Sequence, residues 1–303
     1  MTHLAAAAGI ISISFSAILM RLAAASPATA AFFRAAYALP LLAIAWSASR
    51  RRDHRDRRAR LTAFLAGMIL AADLSLWQMS IDRIGAGLAV VLANVQVLLV
   101  GAVAWAIYRE RPTTASLAVV PVVLTGVALI SGLGRPDAYG SDPVMGVWFG
   151  LATALTYSAF LLLFRHSNRG HLAPPAGPLL DATVGAAVGG LALGMLDPGF
   201  SLAFSWPGHG WLICLGVVIQ GTGWLFITYT LPRLPALETS VLLLMQPMLG
   251  VVWARLIFAE ALSGVQWAGV ALVLGGILVL TRTGTVRRPG PIMSPSAATP
   301  PET

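Results

Sequence analysis

Apolar residues fill most of the chain in runs of about 20, and short polar stretches separate the runs. A helix that crosses the hydrocarbon core of a bilayer needs about 20 mostly apolar residues. The runs therefore predict ten membrane-spanning helices, over residues 4–21, 30–48, 62–80, 86–107, 114–133, 144–164, 177–196, 210–230, 236–257 and 264–281. Two predictions are weaker than the rest: the seventh span, which is glycine-rich and contains Asp181, and the division of the third from the fourth at Asp82–Gly85.

The form of the runs favours helices over membrane β-strands. Strands of a membrane barrel alternate apolar and polar residues over about 10 positions, whereas these runs are continuously apolar. A helix also satisfies its backbone hydrogen bonds internally, as lipid requires. The predicted fold class is an all-α integral membrane protein with ten transmembrane helices.

The composition agrees with this prediction. Hydrophobic residues make up 57% of the 303 residues and charged residues only 11%, whereas about 25% of the residues in a soluble domain are charged. So few charges cannot cover the surface of a soluble protein of this length. A soluble enzyme, a disordered protein and a disulfide scaffold are therefore excluded.

The net charge of +8 comes from arginine, because the chain contains no lysine. Seven arginines lie in the connection 49–61, and only three lie in all the connections on the opposite side. Because cytoplasmic loops carry the excess of basic residues, the pattern predicts a multi-pass protein of the cytoplasmic (inner) membrane with both termini in the cytoplasm. The basic loop could instead bind anionic lipid or nucleic acid. We interpret it as a topology signal, with the bilayer as partner and no nucleic acid.

A duplication relates the two halves of the chain. Without a gap, 14 of the 50 residues in 81–130 are identical to the residue 150 positions later, and some of the matches are to polar residues that are rare here. The polar pairs are Arg83/Arg233, Gln96/Gln246 and Glu110/Glu260 and, at an offset of 144, Ser14/Ser158 and Arg21/Arg165. Because each half has five predicted helices, an odd number, the second half must enter the membrane from the other side. Such inverted repeats are typical of secondary transporters.

This duplication divides the chain into three parts. The first repeat covers residues 1–133 and the second covers 144–283, each with five helices. Residues 284–303 are rich in proline and serine, which predicts a disordered cytoplasmic tail.

Several motifs resemble the EamA-type members of the drug/metabolite transporter superfamily. The resemblance rests on the pair Phe33-Arg34, on the stretch GLAVVLANVQVLLVGAVAWAIYRERPT from Gly87, and on its second copy, ETSVLLLMQPMLGVVWARLIFAEALS from Glu238. It covers residues 4–283 and implies ten helices built from two repeats. Members move amino acids, other metabolites, nucleotide sugars or drugs, and these motifs do not choose among them.

Two charged residues inside predicted spans are candidates for substrate binding, because an ionisable group in a membrane is functional by default. Asp73 lies near the middle of the third span, and Trp77 follows it on the same helix face. This pair suits an amino-bearing substrate by ion pairing and cation–π contact. Arg34 could bind a substrate carboxylate, pair with Asp73, or extend to the membrane surface. Asp73 and Arg34 together suit a zwitterion.

The other candidates are polar or aromatic residues deep in the spans, where either cavity lining or helix packing explains them. Gln96 and Gln246 occupy equivalent positions in the two repeats, and Gln220 and Trp224 are spaced to share a helix face. The remaining members of this group are Gln78, Asn94 and Tyr157.

Glutamates and glycines outside this set are interpreted as structural. Glu110 and Glu260 fall at predicted turns before a helix start, and Ser263 with Gln266 resembles a capping box. Glycines at four-residue spacing in the seventh span, from Gly185 to Gly194, allow close helix packing.

Taken together, these features predict a secondary transporter that moves a small metabolite, an amino acid or related amphiphile, with export as the favoured direction. The chain has no P-loop, and its five histidines form no metal-binding pattern, so we predict neither a cofactor nor a metal. A passive channel and a membrane-embedded enzyme acting on a lipid-like substrate remain as alternatives. A second copy of the chain is a further candidate partner, as a homodimer.

Overall fold

A computed structural model describes residues 2–108, 114–132, 135–168, 174–230 and 236–283, and the regular structure in this part is helical throughout, as predicted. The α-helices are α1 (Thr2–Ser14), α2 (Ser16–Ala23), α3 (Pro27–Ser49), α4 (Arg57–Ala93), α5 (Gln96–Tyr108), α6 (Thr114–Ile130), α7 (Pro143–Ser167), α8 (Ala176–Gly194), α9 (Gly208–Cys214), α10 (Trp224–Thr230), α11 (Ala236–Phe258) and α12 (Gly264–Thr283). A 3-10 turn covers Arg50–Arg52, and a π-helix covers Leu215–Gly223. The predicted disordered tail and Glu110 lie outside the described residues.

Within the described residues, six helical segments are long and apolar enough to cross a membrane, and three shorter helices are similarly apolar. The six are Ala6–Ala23, Pro27–Arg52, Arg57–Val100, Pro143–Ser167, Ala176–Gly194 and Gly208–Thr230, and the shorter ones are Leu117–Ile130, Met245–Phe258 and Gly264–Leu280. Each of the ten predicted spans overlaps one of these segments. The segment Arg57–Val100 is 44 residues long and contains both the third and the fourth predicted spans.

Gly85 divides the third predicted span from the fourth. Its φ of 83° and ψ of 166° interrupt α4 and lie in a region that favours glycine. A Cβ at this position would lie 2.6 Å from Glu260 Oε1 and 2.7 Å from the Tyr139 ring. The predicted division at Asp82–Gly85 is confirmed, and both backbone conformation and space select glycine there.

Three predicted spans are interrupted where the sequence indicated continuous helices. The first breaks at Phe15, the fourth breaks at Asn94–Val95, and the eighth contains the π-helix Leu215–Gly223. The Asn94 side chain donates to the Val90 carbonyl, and asparagine competes in this way with helical backbone bonds. In the π-helix, Thr222 Oγ1 donates to the Val217 carbonyl five residues earlier. An apolar run alone does not reveal such interruptions.

The glycines of α8 bring this helix into contact with α3 and α4. A Cβ on Gly185 would lie 1.9 Å from the Phe64 carbonyl oxygen, and one on Gly190 would lie 2.9 Å from the Phe32 backbone. Gly67 of α4 faces the Ala182 backbone just as closely. The prediction that these glycines serve close packing is confirmed for the α4–α8 and α3–α8 contacts.

We expect Gly185→Ala to destabilise the protein, because overpacking a close contact costs about 1–3 kcal/mol. The matched control is Gly275→Ala in α12, where a Cβ would meet nothing within 4 Å and alanine has the higher helix propensity. Thermal unfolding in detergent should show a lower midpoint for Gly185→Ala and an unchanged or higher one for Gly275→Ala. Equal midpoints would contradict the packing role of Gly185.

The last helices of the two halves, α6 and α12, pack against each other with matched contacts. A Cβ on Gly126 would lie 2.8 Å from the Gly269 carbonyl and 2.9 Å from Val273. A Cβ on Gly276 would lie 2.6 Å from a Val123 methyl and 3.3 Å from Val119. The two sets of contacts are equivalent under the offset of 150 that relates the halves, because Gly126 corresponds to Gly276, Val119 to Gly269 and Val123 to Val273.

The turn before α12 begins with the predicted capping box. Ser263 Oγ accepts from the Gln266 backbone N–H, and Gln266 Oε1 accepts from the Ser263 N–H. This prediction is confirmed. Gln266 also donates to the carbonyls of Ile130 and Tyr139, so the cap ties α12 to the segment that follows α6.

Candidate functional site

Arg34 lies in α3, where Ser26 caps the helix by accepting from the Thr29 N–H. Its side chain is only 5% exposed and points between helices. Nη1 donates to Ser16 Oγ at 2.9 Å, and Nε donates to Gln220 Oε1 at 3.0 Å. The hypothesis that Arg34 extends to the membrane surface is therefore wrong. Its guanidinium is instead held inside the bundle by α2 and the π-helix.

Asp73 lies in α4 and is also 5% exposed. Thr156 of α7 donates to Asp73 Oδ1 at 3.3 Å, while it shares its hydroxyl with the carbonyls of its own helix. Arg34 and Asp73 are near enough to attract each other electrostatically, but they form no direct ion pair among the described residues. The hypothesis of direct pairing is wrong, because Arg34 donates from Nη1 to Ser16 and from Nε to Gln220 and not to Asp73.

Aromatic rings of α7 and α10 lie near the two charges. Tyr157, next to Thr156, interacts electrostatically with both Asp73 and Arg34. Its ring stacks on Phe160 at a centroid distance of 5.8 Å, and Trp224 meets Phe160 edge-on at 6.0 Å. Gln220 and Trp224 thus contact different neighbours, Arg34 and Phe160. The arrangement places an apolar wall beside a cation and an anion.

Several buried polar atoms along α4 and α7 have no hydrogen-bond partner among the described residues. Trp77 Nε1 and Thr153 Oγ1 are two of them. Both atoms lie between two hydrogen bonds that join α4 to α7: Ser80 donates to the Gly146 carbonyl, and Thr156 donates to Asp73. A buried polar group without a partner costs about 1–3 kcal/mol. Such groups are the ones that a polar ligand or water satisfies.

Two further predicted site residues, Gln78 and Gln96, lie on the helices α4 and α5. Gln78 is buried and donates to Asp82, further toward Gly85, while no described residue donates to its Oε1. Gln96 begins α5, and its carbonyl accepts from Ser158, so it lies at the level of Tyr157. Its Oε1 is also buried, and within the described part of the chain it accepts no hydrogen bond.

Two predicted residues are not brought to the charges. The Asn94 side chain donates to the Val90 carbonyl at the end of α4, where Asn94 is the C-terminal cap of the helix. Gln246 is partly buried in α11, and no contact with Arg34 or Asp73 places it in the cluster.

Sequence reasoning missed three residues that contact predicted ones: Ser16 bonds to Arg34, Thr156 bonds to Asp73, and Phe160 lies against Tyr157 and Trp224. Serine, threonine and phenylalanine are common in membrane spans, so their residue type gives no signal. The local signal for Thr156 is its position directly before Tyr157, a predicted site residue. In the part of the chain that the structure describes, no three His, Cys, Asp or Glu side chains group as metal ligands would.

The comparisons with known proteins agree with these observations. The EamA-like transporter family matches residues 1–132 and 144–282, and the predicted resemblance is thereby confirmed. A transporter of Archaeoglobus fulgidus, itself uncharacterized, is 25% identical over 173 residues, which are 57% of this chain and 59% of that protein. The chain thus matches less than two thirds of that relative's length. A crystal structure of another protein shares the fold, with a TM-score of 0.63 at 17% identity over 92% of this chain and 98% of its own.

Proposed function

The chain belongs to the EamA-like transporter family, and from this premise we propose that it is a secondary transporter that exports a small zwitterionic metabolite across the cytoplasmic membrane by alternating access. One observation carries the substrate class. Arg34 and Asp73 are both buried and opposite in charge, yet they do not pair with each other. An amino acid carries a carboxylate for Arg34 and an ammonium for Asp73.

The energetics of buried charges support this assignment. A buried charge without a full partner is costly, and Asp73 accepts one long hydrogen bond from a neutral hydroxyl. Ser16 and Gln220 are likewise neutral partners for Arg34. A zwitterion would neutralise both charges at once, whereas a simple amine or acid would neutralise only one. The rings of Tyr157 and Phe160 favour an apolar side chain on that zwitterion.

The inverted repeat is the second part of the proposal. Ten helices in two inverted halves provide two states of similar energy around a central site. The matched Gly126 and Gly276 contacts between α6 and α12 support a two-fold relation of the halves. The arginine-rich connection 49–61 supports the cytoplasmic location of both termini.

Counterflow of radiolabelled phenylalanine into proteoliposomes tests the function. We expect uptake that saturates and that requires unlabelled phenylalanine inside. 2-Phenylethylamine lacks the carboxylate and 3-phenylpropionate lacks the ammonium, so each should compete at least about tenfold more weakly than phenylalanine, because a lost charge-assisted bond is worth about 1.5–3 kcal/mol.

The same assay separates the alternatives. Flux that does not saturate, together with a conductance in planar bilayers, would indicate a passive channel. Equal competition by phenylalanine and by either single-charge analogue would contradict recognition of a zwitterion. Absence of counterflow for this and the other proteinogenic amino acids would overturn the amino-acid proposal itself.

A further inference from the structure

Glu260, in the turn between α11 and α12, is only 2% exposed, and its carboxylate accepts hydrogen bonds from the first half of the chain. Arg21, in the last turn of α2, donates Nη1 to its carboxylate at 2.5 Å. The backbone N–H groups of Ala86 and Gly87 donate to its two oxygens at 2.7 and 3.1 Å. These amides begin the helical segment that follows the break at Gly85, where an anion is favoured. We call this set of contacts the Glu260 clamp.

Neighbouring side chains close the space around the clamp. Tyr139 lies with its ring against Gly85, and its hydroxyl accepts from Arg21 Nη2 at 3.5 Å. Gln266 holds the Tyr139 backbone with two hydrogen bonds. The Arg21 guanidinium also lies over the Phe258 ring, 4.3 Å from its centroid. Four chain segments therefore meet at a single buried carboxylate.

The clamp is at the end of the bundle that the arginine distribution places outside the cell. Arg21 and Gly85–Gly87 belong to the first half of the chain, and Glu260 belongs to the second. In an alternating-access transporter the two halves move relative to each other, so contacts between them at one end must break when that end opens. The Arg21 side chain is 33% exposed, so water can replace its bond to Glu260 without unfolding a helix.

The elements that carry the clamp also carry the charged site. The short helix α2 has Ser16, which holds Arg34, at its start and Arg21 at its end. The helix α4 has Asp73 in its middle and leads into Ala86 and Gly87. The helix α2 thus connects Ser16, the partner of Arg34, to Arg21, and the part of α4 before the break at Gly85 connects Asp73 to the amides of the clamp.

We propose that the Arg21–Glu260 clamp is the outer gate of the transporter, closed in this structure, and that Arg21 and Glu260 are gating residues for transport. The inference rests on the proposed transport function and adds the residues that seal its outer side. It assigns to Glu260 a role beyond the structural one that its position in a turn indicates.

Thiol labelling tests the gate without any substrate. Ala254 lies directly beneath the clamp, because its carbonyl accepts from the Glu260 N–H at 3.5 Å and its Cβ faces Gly87. Cys214 is the only native cysteine, so Cys214→Ser with Ala254→Cys gives one reporter thiol. An impermeant methanethiosulfonate added outside intact cells should react slowly with this thiol while the clamp is closed.

In that background we expect Arg21→Gln to raise the labelling rate at least about tenfold, and Glu260→Gln to raise it similarly. The matched control is Arg165→Gln, since Arg165 is the repeat equivalent of Arg21 and is exposed on the opposite side. It should not raise the rate. Thermal unfolding of each variant identifies any that does not fold, and Arg21→Gln, at a partly exposed position, serves as the second variant if Glu260→Gln is lost.

Two results would overturn the gate. One is an unchanged labelling rate in a folded Arg21→Gln variant. The other is an equal rise in Arg165→Gln, which would indicate general loosening of the bundle. Phenylalanine counterflow by the unmodified chain is scored separately. If counterflow fails while the labelling rate changes as expected, only the substrate proposal falls. If counterflow is intact while labelling is unchanged, only the gate falls.

Discussion

Arg34→Gln is expected to reduce phenylalanine counterflow at least about 30-fold, because removing one partner of a desolvated charge pair costs about 2–5 kcal/mol and each 1.4 kcal/mol is a factor of ten. Glutamine keeps a polar group between Ser16 and Gln220, the two partners of Arg34, but it supplies no cation for a carboxylate. Arg34→Lys should recover part of the activity, since lysine restores the charge without the planar fork of donors.

The analogues distinguish a binding role for Arg34 from a structural one. If the guanidinium binds the substrate carboxylate, Arg34→Gln should lose the discrimination between phenylalanine and 2-phenylethylamine, which lacks that group. Discrimination against 3-phenylpropionate should survive, because Asp73 still selects the ammonium. Asp73→Asn should show the reverse pattern. A variant that is merely misfolded would weaken all three ligands together.

Arg282→Gln is the matched control, because this arginine lies exposed in the last turn of α12 and loses the same charge on substitution. It should transport phenylalanine as the unmodified chain does. Counterflow by Arg34→Gln within about twofold of that control, a difference of about 0.4 kcal/mol, would contradict the role of Arg34 in substrate binding.

The parts of the fold that were predictable from the sequence are those fixed by local pattern. The span positions, the division at Gly85 and the Ser263–Gln266 capping box depend on residues close together in the chain. The shared face of Asp73 and Trp77 follows in the same way from helical period. These features needed no knowledge of which helices are neighbours.

The partners of the site residues could not be read in this way. Gln220 bonds to Arg34 across 186 positions, and Thr156 bonds to Asp73 across 83. No local period encodes such a pairing. The π-helix that carries Gln220 also shifts the faces that a regular helix would present. The long-range contacts therefore decide which of several buried polar residues belong to one site.

The basic connection 49–61 illustrates the same limit. Its arginines were interpreted together as a topology signal, yet Arg55 is fully buried, in contrast to its neighbour Arg58. Arg55 donates two hydrogen bonds to Asp53, at 2.8 and 2.9 Å, and its Nη2 lies 2.9 Å from Asp181 in α8. Asp181, which weakened the seventh predicted span, is thus the partner that anchors the loop to that span.

Asp53 completes this network at the end of the bundle that carries the basic connection 49–61. Trp46 Nε1 donates to its second oxygen at 3.1 Å. The hydrogen bonds from Arg55 lower the pKa of the Asp53 carboxyl from 3.8 to about 2. Since the folded-state pKa lies below the unfolded value, the stabilisation by Asp53 is present above pH 3.8 and is lost as the pH falls toward 2.

Arg55→Gln is therefore expected to lower the free energy of unfolding by about 1–3 kcal/mol near neutral pH, because it removes the nearest cation of Asp181 and leaves the buried Asp53 only the longer ion pair with Arg60, at 3.5 Å. The control Arg58→Gln removes an exposed arginine from the same connection and should change stability by less than about 0.5 kcal/mol. Chemical unfolding of both variants in detergent measures the difference. The deficit of Arg55→Gln should shrink as the pH falls through the range in which Asp53 takes up a proton, because a neutral Asp53 no longer needs a cation. A deficit that is independent of pH would assign the loss to packing and would contradict the ion network as its cause.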